Sequence, residues 1–127
     1  MEDLRRPSKR FPVCRAQTRA ALFAAEARGR PEAVRIARWT IARCLRSLGR
    51  VEEALRRQLA LRDDPAATSA SDGYVHEEIG ENLLALGRAA EARPSFARAH
   101  ALLKDDSYLK ANQPQRLARL RELGEER

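Results

Sequence analysis

The chain has 127 residues, of which 43% are hydrophobic, 34% charged and only 5% aromatic, with a formal net charge of +7. That balance fits one globular domain and excludes an intrinsically disordered chain. With so few aromatics the core falls to Leu, Ala, Ile and Val, and small Ala side chains allow the close helix approach of an all-helical fold.

The charge is uneven. Residues 1–62 hold 16 basic and 6 acidic side chains, and residues 63–127 hold 9 and 12. A basic half attracts phosphate, anionic lipid or acidic protein. Its Arg residues are interleaved with Glu, however, which is also the pattern of solvated helix faces. The two cysteines, Cys14 and Cys44, sit in no CxxC motif and are expected to be separate thiols, as in a reducing compartment. No apolar run approaches the roughly 18 residues of a membrane span, and the N-terminus has no apolar segment of the secretory-signal kind.

Residues 1–12 (MEDLRRPSKRFP) read as a basic arm in which Arg5, Arg6, Lys9 and Arg10 could meet an anionic partner. A first helix is expected over residues 13–28, with Leu22 and Phe23 supplying most of its burial. Gly29-Arg30-Pro31 ends it and opens a second helix, from about Pro31 to Leu48. Here Val34, Ala37, Ile41, Ala42, Leu45 and Leu48 recur at helical steps and form one apolar stripe. Gly49 stops this helix. A third, from Val51 to about Arg62, carries Ala54, Leu55, Leu59 and Leu61, with Glu52 and Glu53 in its first turn.

Asp63–Gly73 (DDPAATSASDG) reads as the longest internal loop, with Ser71 or Asp72 capping a fourth helix that runs to Leu86. A fifth helix, from about Ala89 to Lys104, contains Pro94, which predicts a local kink and not a break. Asp105–Ser107 is the next loop. Asn112-Gln113-Pro114 opens a short final helix bearing Leu117, Leu120 and Leu123, about residues 114–123.

One phrase occurs twice. Leu45–Ala54 and Leu83–Ala92 both read LxxLGRxxEA, and Gly49 and Gly87 lie 38 positions apart. Ile41 corresponds to Ile79, Leu45 to Leu83, Leu48 to Leu86 and Ala54 to Ala92. A period of this size marks stacked helix pairs, none of which buries its apolar face alone. The second copy resembles the tetratricopeptide repeat (TPR). Ile79-Gly80 stands for its Leu-Gly, Leu83 for its Tyr, Gly87 for its turn, Ala92 for its small packing residue, Phe96 for its aromatic and Ala99 for its second Ala. The first copy departs from the pattern at Ala42, Gln58 and Leu61, and 38 residues exceeds the family's usual unit of about 34.

The resemblance implies an all-α fold of antiparallel helix pairs stacked as a short right-handed TPR-like solenoid of about six helices. It would form a single domain over residues 13–127, with repeats at about 35–68 and 73–106. The helices at 13–28 and 114–123 would seal the ends. It further implies that the first helix of each pair lines a concave face that takes peptides. That face would present Trp39, Arg43, Arg46 and Ser47 on one helix and Tyr74, Glu77 and Glu81 on its counterpart. Trp39 could equally pack under a neighbouring helix. The acidic side could instead hold the chain's own C-terminal helix, through Arg116, Arg119 and Arg121, or a second copy of the chain.

Catalytic signals are weak. His76 and His100 have no partners at ligand spacing, Glu77-Glu78 with Glu81 reads as a solvated face, and the glycines are isolated helix stops. No cofactor, metal or catalytic residue is expected. The leading expectation is a cytoplasmic, bacterial, non-catalytic protein–protein interaction module. It would be an adaptor or scaffold that binds a protein or peptide, with a homodimer as a variant of the same reading. The alternative is a nucleic-acid-associated protein using the basic N-terminal half, although base-stacking aromatics are scarce.

Overall fold

The computed structural model describes residues 19, 20, 22–24, 26, 28–65 and 69–125. The expected basic arm, Cys14, the start of the expected first helix and residues 66–68 of the expected loop lie outside the described residues. Among the described residues all regular structure is helical. The helical residues 19, 20, 22–24 and 26 are labelled α1. There follow α2 (Pro31–Ser47), α3 (Val51–Arg62), α4 (Ser69–Ala85), α5 (Ala89–Leu103), α6 (Ser107–Asn112) and α7 (Pro114–Gly124). The chain divides into two compact units, one ending at Arg57 and one beginning at Gln58, with the boundary inside α3.

In the first unit, α2 opens on Pro31, whose fixed φ suits a helix start, with Glu32 in the first turn. Ala37, Ile41, Ala42, Cys44 and Leu45 are buried, and Val34 and Leu48 are half-buried. Ile41 and Leu45 pack with Ala54 of α3, and Leu22 of α1 lies against this cluster. Phe23, expected to share that burial, is 75% exposed. Neighbouring helix positions point about 100° apart, so turning Leu22 inward turns Phe23 outward.

Cys44 is a second correction. It is buried, as expected, but it is disulfide-bonded and not a thiol. The inference of a reducing compartment from two separate thiols therefore loses its premise.

The second unit is built on the α4–α5 pair. Val75, Ile79 and Leu83 recur every fourth residue along α4, and Ala92, Phe96, Ala99 and Leu103 line α5; all are buried. Gly80 lets the pair close. A Cβ there would stand 2.9 Å from the Phe96 ring, so the missing side chain makes room for the aromatic. α7, with Leu120 buried, packs on α5 so closely that a Cβ on Gly124 would stand 2.6 Å from the Ala97 backbone nitrogen, and α6 packs on α7.

Burial follows the 38-residue correspondence. Ile41 and Ile79, Ala42 and Gly80, Leu45 and Leu83, Ala54 and Ala92, Gln58 and Phe96, and Leu61 and Ala99 are buried in both members of each pair. The turns match bond for bond. Gly49 N–H donates to the Arg46 carbonyl and Arg50 N–H to the Leu45 carbonyl, at 3.0 and 2.9 Å. Gly87 N–H donates to Leu84 and Arg88 N–H to Leu83 at the same two distances. Both turns are Schellman caps, and both place the glycine in the left-handed region, at φ 83 and 76. The carbonyl of the following Arg then accepts the first bond of the next helix, from Ala54 or Ala92 N–H.

The remaining elements depart from expectation in two places, at the start of α4 and at α6. α4 starts at Ser69, so the loop before it is shorter than expected and Asp72 lies in the first turn, where it pairs with His76 at 3.2 Å. As expected, α5 is not broken at Pro94. Pro94 and Ala90 both lie on the exposed side, so the Ala90 carbonyl that loses its helical donor can turn to water. The short helix α6 occupies part of the segment expected between loop and final helix. The Asp106 carboxylate caps it by accepting from Leu109 N–H at 2.9 Å, and Leu109 is buried. Pro114 then disfavours helical geometry at Gln113, whose φ −138 and ψ 54 separate α6 from α7.

Two measurements test this fold. Gly87→Val places a β-branched residue at φ 76 and should cost roughly 1–3 kcal/mol. A melting temperature equal to that of the wild type would contradict the turn. Denatured but unreduced protein should leave Cys44 unmodified by iodoacetamide, with labelling only after a reductant; labelling without reductant would refute the disulfide.

Candidate functional site

Trp39, Arg43 and Arg46 belong to the first unit and Tyr74, Glu77 and Glu81 to the second, so each set is described within its own unit. On α2 the three residues share one helix face, at steps of four and three. All three are half-buried, and the Arg43 Nη1 donates to the Ser47 hydroxyl one turn on. Ile36 extends the same face by one step and is 56% exposed. Sequence reasoning missed Ile36, although its i, i+3, i+7 spacing to Trp39 and Arg43 is a usable signal. Thr40 beside it turns its hydroxyl back onto the Ile36 carbonyl at 2.9 Å.

On α4, Tyr74, Glu77 and Glu81 also share one face, and α7 reaches it with two arginines. The Arg116 guanidinium grips Glu77 with both ends of its fork: Nε donates to Oε2 at 2.8 Å and Nη2 to Oε1. Its remaining arm, Nη1, donates to the Gln113 side-chain oxygen at 2.9 Å. The same guanidinium lies 5.4 Å from the centroid of the Tyr74 ring, a cation–π distance. One turn on, Arg119 Nη2 donates to Glu81 Oε1 at 2.8 Å. Arg121, also expected near this face, instead stands 3.9 Å from Glu125 near the end of its own helix.

The two ion pairs differ in setting. The Glu77 side chain is 9% exposed and Arg116 31%, whereas Glu81 is 20% and Arg119 53%. The hydrogen bond to Glu77 holds the Arg116 guanidinium above its ordinary pKa, against a smaller opposing effect of burial. Burial raises the Tyr74 phenol, and the charge of Asp106 adds to that; the phenol stays neutral through the physiological range.

A carboxylate gripped from both sides by a guanidinium is neither a free base nor a free acid. His76 pairs with Asp72 across one turn of α4. Among the described residues no group of three or more His, Cys, Asp or Glu is placed to hold a metal ion. No helix among them is long and apolar enough to cross a membrane. Compared with protein-family models, with curated proteins and with solved structures, the chain has no match in any of the three.

The two ion pairs should separate in a double-mutant cycle. Removing Glu77 leaves a partly buried guanidinium short of its best acceptor, so Glu77→Ala should cost roughly 1.5–3 kcal/mol. Its coupling to Arg116→Ala should exceed the coupling of Glu81→Ala to Arg119→Ala, which should stay within about 1 kcal/mol at such exposure. Equal couplings in chemical denaturation would refute the assigned geometry.

Proposed function

We propose that the chain is a non-catalytic protein–protein interaction module of the tetratricopeptide type, in which preformed helix pairs present a face to a peptide or protein. The observation that carries this reading is the recurrence, 38 residues apart, of one helix–glycine–helix unit. Its Schellman bonds and its order of buried positions are the same in both copies. The Gly80–Phe96 interlock adds the small-residue-against-aromatic packing of the family pattern. In this reading the pairs stack as a short right-handed solenoid, and the partner meets the first helix of a pair.

On α2 the contact residues are Trp39, Arg43 and Arg46, joined by Ile36. A large aromatic and two guanidiniums beside an exposed aliphatic side chain are the residue types that anchor interfaces. Preformed helices spare the ordering cost on their own side of the contact. On α4 the contact residues are Tyr74, Glu77 and Glu81, the face that α7 reaches.

The test is affinity capture with mass spectrometry, comparing the wild type with Trp39→Ala and Arg43→Glu. Both variants should keep the wild-type helicity and melting temperature. Each should lose capture by about tenfold or more, the scale of a central interface anchor. Undiminished capture by both variants would overturn the assignment of this face. Duplex DNA binding in place of protein capture would move the protein to the nucleic-acid class.

A further inference from the structure

The two copies of the repeat fasten one position in different ways. Cys44 lies near the end of α2 at 3% exposure, and its counterpart 38 residues on is Asn82 of α4, which is fully buried. The Asn82 amide donates to the Glu78 carbonyl of its own helix at 2.8 Å. Cys44 is held instead by a disulfide. The sequence contains one other cysteine, Cys14, which lies outside the described residues. A bond made within one chain therefore joins Cys44 to Cys14.

Such a bond closes a loop of about 30 residues and removes conformations from the unfolded chain, by a factor of roughly several hundred on chain-entropy grounds. That restriction matters most where buried side chains are small. Among the described residues, the first unit buries Ala37, Ala42 and Ala54, each a single methyl, where the second buries Phe96, Leu103 and Leu109. The neighbours of Cys44 divide between the two roles of α2. Leu45 packs with Ala54 of α3, and Arg43 shares the outward face with Trp39. Loosening the helix at Cys44 disturbs both.

We propose that a Cys14–Cys44 disulfide makes the order of α2 depend on redox state. Oxidised, the chain presents the Trp39–Arg43 face on a fixed helix; reduced, α2 opens ahead of the α4–α5 pair. The consequence for partner binding rests on the interaction-module reading, and the dependence of α2 on the bond does not. The reaction is thiol–disulfide exchange with an external dithiol. One thiolate of the dithiol attacks a sulfur of the bond and expels the other cysteine as a thiolate. The reagent's second thiol then displaces the mixed disulfide. The chain gains two thiols, and the dithiol leaves as a disulfide, having given up two electrons and two protons. The Cys44 sulfur is shielded by burial, so exchange there follows opening of α2 and the oxidised form persists against scarce thiols. The second copy contains no cysteine and does not respond.

The full chain is compared in three forms: oxidised, treated with dithiothreitol, and as Cys14→Ser, which keeps the Cys44 side chain and removes only the bond. An unreduced proteolytic digest should yield a linked pair of peptides carrying Cys14 and Cys44. A Cys44–Cys44 link between two chains would overturn the proposal. In hydrogen exchange the α2 amides should speed up by about tenfold or more in the reduced chain and in Cys14→Ser, while those of α4 and α5 change by less than about twofold. Dithiothreitol should have no further effect on Cys14→Ser. Unchanged α2 exchange on reduction, or equal acceleration of α2, α4 and α5, would refute the switch. The reduced wild type supplies the same comparison if Cys14→Ser fails to fold.

Affinity capture separates this proposal from the reading it extends. Capture should fall about tenfold on reduction, and Trp39→Ala should then cost little more. Redox-dependent α2 exchange without any capture would leave the switch standing and remove the interaction module. Trp39-dependent capture with α2 exchange indifferent to reductant would do the reverse.

Discussion

The left-handed glycine between paired helices is the constraint on which the rest depends. A helix that ends must satisfy its last carbonyls and reverse direction within two or three residues. At Gly49 and Gly87 one residue does both, because φ 83 and 76 bring the next Arg N–H back to the carbonyl of Leu45 or Leu83. That return bond sets where the next helix begins. It thereby sets which residues of α3 and α5 face inward: Ala54 and Gln58 in one, Ala92 and Phe96 in the other. The Arg that makes the bond also pairs with the Glu three residues on, Arg50 with Glu53 at 3.6 Å and Arg88 Nε with Glu91 at 3.1 Å. That contact holds the Glu91 carboxyl below its ordinary pKa. The pairs lie at or near the surface, so they orient the turn and add little stability.

The same backbone unit carries different side chains in its two copies. Trp39 stands where Glu77 stands in the second copy, and Arg43 stands where Glu81 does. None of these positions is required by the turn, although Glu77 is buried and tied to Arg116. Gln58 in place of Phe96 is a different kind of departure, because it puts an amide at a fully buried position where the second copy has a ring.

Much of the fold is legible in the sequence because its punctuation is chemical. Glycine at helix ends, proline at helix starts and an apolar stripe at helical spacing locate α2, α3, α5 and α7 to within a few residues. The departures have physical causes. α6 is only six residues long and turns on one capping carboxylate, Asp106, which composition hides among loop-forming neighbours. Ser69 and Ala70 join α4 because nothing between them and Gly73 forbids helix, although Ser, Asp and Gly in a cluster carry the composition of a loop. Phe23 is hydrophobic enough to suggest burial, but hydrophobicity without helical phase does not give a direction. The disulfide at Cys44 leaves no trace in spacing, since pairing depends on distance in space and not in sequence. In the candidate site, the residues on α4 and the arginines that approach them can be named from the sequence. Whether Arg116 and Arg119 reach Glu77 and Glu81 depends on how α7 packs on α5, a tertiary fact with no local signal.

The Glu77–Arg116 pair is better understood as a device for register than as a source of stability. Taking a carboxylate to 9% exposure costs much of its hydration, and the guanidinium's attraction roughly offsets that cost. An apolar pair of similar volume would hold α7 as firmly. It would not distinguish one helical register from another, because apolar contact is tolerant of sliding. A forked donor with its third arm fixed by Gln113 is not tolerant: one residue of slip on α7 swings Arg116 about 100° off the seam and leaves Glu77 unpaired at low exposure. The cost of the wrong register, more than the gain of the right one, makes this seam selective.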